Sequence, residues 1–107
     1  MSSKLLDLKE MIKKERSLLL KFSAAWCGPC HAVAPHVTKY AEEHKDVRVV
    51  SIDIEEDDEI AQSFNITAVP TFLFFRYGTL VTTVRGTDVK AIRNGFRSVS
   101  SAYPMSQ

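Results

Sequence analysis

The chain has 107 residues, of which 45% are apolar and 25% charged, and its formal charge is +1. That length fits one cored domain over 1–107 with a polar tail from about residue 100, and it excludes two domains. The balanced charge leaves no footprint for nucleic acid. No apolar run approaches the roughly 20 residues of a membrane helix, and the apolar content excludes disorder over most of the chain.

Leu5, Leu8, Met11 and Ile12 recur at helical spacing and predict a helix over 4–15, capped by Ser2 or Ser3. Lys13 and Lys14 then sit where a helix dipole favours cations. The short apolar run 18–23 reads as a buried strand. A helix follows over 28–44, with Val33, Val37, Tyr40 and Ala41 on its apolar face and a kink expected at Pro35. The β-branched segment 47–54 predicts a second strand. The five acids Glu55 to Glu59 read as the solvated start of a helix over 57–64. Two strands, 71–76 and 79–85, join at a turn where Gly78 supplies a positive φ. A last helix spans 88–99, with Val89, Ile92, Phe96 and Val99 inward. Gly95 should weaken its middle by about 1 kcal/mol relative to Ala. The tail, with Pro104, is expected to fray at its end.

This order predicts a mixed sheet flanked by helices on both faces. The first two strands form a right-handed parallel unit through their helix, and the last two form an antiparallel hairpin.

Only two cysteines are present, Cys27 and Cys30. That count excludes a disulfide-stapled secreted scaffold and a four-thiolate zinc site within one chain. The opening residues lack an unbroken apolar stretch, so no secretory signal is expected and the chain is assigned to the cytoplasm. Cys27 falls at a strand-to-helix junction, and the spacing lets the two sulfurs meet across one helical turn. Unsatisfied helix N–H groups there favour an anion and lower the pKa of the first thiol. Cys30, one turn inside, is expected to be the more buried and suited to resolving a mixed disulfide. Pro29 removes a donor that would be unsatisfied in any case. A pair of structural thiols, or half of an intermolecular zinc site, remains an alternative at this point.

The pentapeptide Trp26-Cys27-Gly28-Pro29-Cys30 resembles the active site of the thioredoxin family. Pro35, Val69-Pro70-Thr71, Gly78 and Gly86 match that family's kink proline, its cis-proline loop and two glycines, and the element order agrees over roughly 3–100. The resemblance implies a thioredoxin fold of four to five strands and a thiol–disulfide oxidoreductase. Cys27 would be the nucleophile and Cys30 the resolving thiol, supported by Trp26, Gly28, Pro29, Pro70 and Lys21. Trp26, Ala68, Val69, Gly86 and Thr87 would line a substrate groove, with the Val69–Pro70 bond cis. It further implies a monomer with no bound cofactor, recycled by a thioredoxin reductase that carries flavin and uses NADPH. Implied clients are peroxiredoxin, ribonucleotide reductase and methionine sulfoxide reductase. The Gly-Pro spacer matches the reducing branch of this chemistry, because Pro29 offers the thiolate no backbone donor.

Two positions depart from the family pattern. Lys21 stands where the family has a buried Asp, and Ser51 where it often has a Lys. Lys21 alternates away from Leu20 and Phe22 and shares a face with Leu19 and Ser23. It is expected to snorkel its ammonium to water, to pair with Asp53, or to act on the cysteines. The family's first edge strand would need Met1 to Lys4 to extend, which a serine cap opposes. His31 reads as an exposed imidazole, His36 and His44 have no ligand spacing with the cysteines, and 65–67 reads as the loop before the cis-proline. Apart from a general reductant, the pattern also accommodates a thioredoxin-like binding module and a disulfide oxidase or isomerase.

Overall fold

A computed structural model describes residues 2–101; the tail from 102 onward, including Pro104, lies outside the described residues. The elements follow in the order α1 (Ser3–Lys14), β1 (Ser17–Ser23), α2 (Gly28–Glu43), β2 (Arg48–Asp53), α3 (Asp58–Ser63), β3 (Thr71–Arg76), β4 (Thr79–Arg85) and α4 (Val89–Val99). The Ser2 side chain accepts from the Leu5 amide at 3.1 Å and starts α1. Ser2 and Ser3 are therefore spent on a helix start, and among the described residues no strand precedes it.

The four strands lie in the order β2-β1-β3-β4. β1 pairs with β2 in parallel and with β3 antiparallel, and β3 pairs with β4 antiparallel. Tyr77 and Gly78 both take positive φ at the β3–β4 turn, 50° and 81°. Alternation along the two central strands makes two cores. Leu18, Leu20, Phe22, Leu73 and Phe75 pack with Leu5, Leu8 and Ile12 of α1 and Ile60 of α3. Leu19, Phe72 and Phe74 pack on the other face with Val33, Val37 and Tyr40 of α2 and Ile92, Phe96 and Val99 of α4. Full burial of each phenylalanine in these layers contributes about 1.5–3 kcal/mol. α2 runs without interruption through Pro35, which is exposed and leaves the His31 carbonyl without its usual helical donor.

Gly95 has a packing reason that the sequence conceals. It is buried in α4, and a Cβ added there would stand 2.6 Å from Cδ2 and Cζ of Phe74. Phe74 in turn packs edge-on against Phe96, with ring centroids 5.4 Å apart. The end of α4 is fastened by polar contacts. The Ser17 hydroxyl donates to the Val99 carbonyl. Asp46 accepts from the Ser100 hydroxyl at 2.8 Å and from the Ser101 amide at 2.6 Å. Desolvation alone would raise the Asp46 pKa, but these serine hydrogen bonds outweigh it and hold the carboxyl below its ordinary 3.8.

Two tests follow from this packing. Gly95→Ala should destabilise the chain by about 1–3 kcal/mol in denaturant unfolding, because overpacking against Phe74 exceeds the helix-propensity gain. The Asp46 contacts add stability that is complete above pH 3.8 and is lost as pH falls through the lower folded value. Asp46→Ala should therefore lower Tm near neutral pH, and its difference from wild type should shrink as the pH is taken progressively below 3.8.

Candidate active site

The C-terminal end of β1 leads through Ala24 to Cys27, the residue that caps α2. Its sulfur accepts from the Cys30 amide at 3.1 Å, so one of the helix's free N–H groups points at the first sulfur. Pro29 occupies the first turn, where its missing N–H costs nothing. Cys27 and Cys30 are joined as a disulfide with their Cα atoms 5.3 Å apart. Ala24 is buried against both, with Val69 and Ile54 packed alongside.

The expected order of burial is not found. Cys27 is 3% exposed and Cys30 7%. The reason is the shape around them. Both sit in one buried cluster with Ala24, and Cys30 in addition lines a cleft of about 250 Å³ whose walls include Lys21, His31, Asp53 and Pro70.

The Val69–Pro70 bond is cis. Thr71 donates its hydroxyl to the Ala68 carbonyl at 2.7 Å, and Gly86 donates its amide to the Pro70 carbonyl at 2.9 Å. These bonds set Gly86, at φ 94°, beside the cis-proline, whose ring is fully buried, while Ala68 just before it is exposed. Among the described residues the Val69 backbone makes no hydrogen bond. Its donor and acceptor are available to an added strand. Trp26 is 64% exposed, which excludes simple core packing, and its indole N–H donates to Glu55 at 2.9 Å. The acidic run does more than start α3. Glu55 holds Trp26, Asp57 pairs with Lys4 at 2.9 Å, and Glu59 accepts from the Ser2 amide at 3.1 Å. No spacing in the sequence signalled these long-range partners.

Lys21 lies on the α2 side of the sheet, opposite Ser51 on β2 and Phe72 on β3. It is half-buried and borders two clefts, the one at Cys30 and a second that also contains Glu42, Lys45 and Ser51. The expected direct pairing with Asp53 is absent among the described residues. Asp53 instead accepts from the amides of Glu55 and Glu56 at 2.8 and 3.2 Å, which fixes its carboxylate at the end of β2. His31 is exposed, with Nε2 2.8 Å from the Ala25 carbonyl. His44 is buried and stacked on Phe96. No group of three or more metal-binding side chains occurs among the described residues.

A sequence model described as thioredoxin matches residues 4–97. The mitochondrial thioredoxin-3 of Saccharomyces cerevisiae is 35% identical over 95 residues, covering 89% of this chain and 75% of that protein. The oxidised crystal structure of the yeast mitochondrial thioredoxin 3 superposes with a TM-score of 0.84 at 35% identity, covering 88% of this chain and 89% of the other. A chain solved in work on the thiol resolving mechanism of yeast mitochondrial 1-Cys peroxiredoxin via glutathione/thioredoxin systems gives 0.83 at 33% identity, covering 87% and 88%. The chain belongs to the thioredoxin family, and with its Cys27–Cys30 pair it is a protein-disulfide reductase, a dithiol–disulfide oxidoreductase that needs no bound cofactor.

Proposed function

We propose that the chain is a general cytoplasmic reductant in which Cys27 is the nucleophile and Cys30 the resolving thiol. The observation that carries this assignment is the place of Cys27 at the N-cap, with its sulfur accepting the Cys30 amide hydrogen bond. That bond stabilises a thiolate on Cys27 in the reduced protein. The thiolate attacks one sulfur of a client disulfide. A mixed disulfide forms, and the other client sulfur leaves as a thiolate and takes up a proton. Cys30 then attacks the Cys27 sulfur, the Cys27–Cys30 bond closes, and the second client thiolate is released. Two electrons pass from the dithiol to the client.

Trp26, Ala68, Val69, Gly86 and Thr87 form the groove for the client chain, and the free Val69 backbone pairs with its extended segment. A thioredoxin reductase, using NADPH and a flavin, returns the disulfide to the dithiol. Peroxiredoxins are the clients best supported, since a similar chain belongs to the thiol-resolving system of one. Ribonucleotide reductase and methionine sulfoxide reductase are the further clients that the family resemblance implies. The chain acts as a monomer. With both of its cysteines in the redox pair, it carries no structural disulfide that would call for an oxidising compartment. A second reading, a disulfide oxidase or isomerase, is favoured by one feature, the Lys21 cation beside the Cys30 cleft.

Cys30→Ser should accumulate mixed disulfides through Cys27 with an oxidised peroxiredoxin, seen by mass spectrometry of alkylated samples, while Cys27→Ser should trap none. Equal trapping by both variants would remove the assignment of roles. Equilibration in graded dithiothreitol buffers should place the couple near about −270 mV. A midpoint near about −180 mV would replace the reductant reading with the oxidase or isomerase one.

A further inference from the structure

The cleft at Cys30 holds a charge arrangement that the disulfide chemistry alone does not require. Lys21 on β1 and Asp53 on β2 both line it, and so does Cys30 itself. The parallel register sets Lys21 opposite Ser51 and Ser23 opposite Asp53, so the two charged residues stand one diagonal apart on the same sheet face. They do not neutralise each other by contact, because no Lys21–Asp53 ion pair exists among the described residues. Asp53 is pinned by the amides of Glu55 and Glu56 rather than by a cation. Cys30 therefore shares one cleft with a basic side chain from one strand and an acidic side chain from the next.

We propose that Lys21 and Asp53 are opposed positioning residues that set the proton affinity of the Cys30 thiol, Lys21 favouring the thiolate and Asp53 favouring the thiol. The proposal rests on the reading of Cys30 as the resolving cysteine. In the step concerned, Cys30 loses its proton to solvent and attacks the Cys27 sulfur of the mixed disulfide. The Cys27–Cys30 bond forms, and the client leaves with the electron pair of its broken sulfur–sulfur bond. A cation lowers and an anion raises the energy of the attacking thiolate. The other titratable group lining the cleft is His31, on α2, while Cys27 caps that helix and is bonded to Cys30. The cis-proline loop contributes only the uncharged Pro70 to the cleft wall. Glu42 and Lys45 line the second cleft with Lys21, one of opposite and one of like sign to it.

The resolving step can be isolated with Ellman's reagent. The reduced chain captures the aryl thiol on Cys27, and Cys30 then expels it with a change in absorbance. Stopped-flow rates of this second phase would be followed across pH for wild type, Lys21→Met, Lys21→Arg, Asp53→Asn and the Lys21→Met/Asp53→Asn double variant. Asn keeps an acceptor for the Glu55 and Glu56 amides, so that contact survives the change. Lys21→Met should raise the midpoint by about one pH unit, about tenfold less thiolate at a fixed lower pH. Asp53→Asn should lower it, the double variant should lie between, and Lys21→Arg should match wild type. Coincident midpoints in all five proteins would overturn the proposal and leave the functional reading intact. The absence of any second phase in wild type would instead overturn the resolving role of Cys30, and the proposal with it.

Discussion

β1 is paired along both edges and covered on both faces, and Cys27 begins α2 just beyond its C-terminal end. Leu18, Leu19, Leu20 and Phe22 are wholly buried, so the strand cannot shift by one residue without exchanging the two cores. That register fixes where the chain leaves the sheet. It therefore fixes the direction from which the α2 N–H groups meet the Cys27 sulfur. The redox site depends on burial several residues away from it.

The remaining contacts hold the pieces around this strand. α4 closes one core through Phe96 and Ile92, and it is fastened at its end by Asp46 and by the Ser17–Val99 hydrogen bond. α1 and α3 close the other core, and the acidic segment before α3 ties Lys4, the Ser2 amide and Trp26 to one region. Most of these polar contacts are exposed and individually weak. Their effect at the site is positional, since the Trp26 indole is held by Glu55 without being buried.

The sheet face under α2 carries the feature that separates this chain from its family's usual pattern. Lys21 stands where a buried acid is typical, and Asp53 supplies an anion from the neighbouring strand without contacting it. Side chains of both signs thus line the Cys30 cleft, one from each of two neighbouring strands.

Hydrophobic period, β-branching and turn residues were enough to read every helix and strand to within a residue or two. Each depends on neighbours close in the chain, as with the Ser2 cap and the Gly78 turn. The Trp26-to-Cys30 segment likewise declared its chemistry, because spacing and helix placement act locally. Three things escaped. Gly95 read as a weak point in a helix, but it is the space that Phe74 fills. Cys30 was expected to be the deeper sulfur, yet it borders the cleft. Lys21 and Asp53 were candidates for a direct pair, and they stand apart at one thiol. The sequence alone determined the elements, the fold and the reacting pair, since these follow from local pattern. Tertiary structure alone decided which buried atoms face each other, because packing and the electrostatics of the cleft depend on residues brought together from different elements.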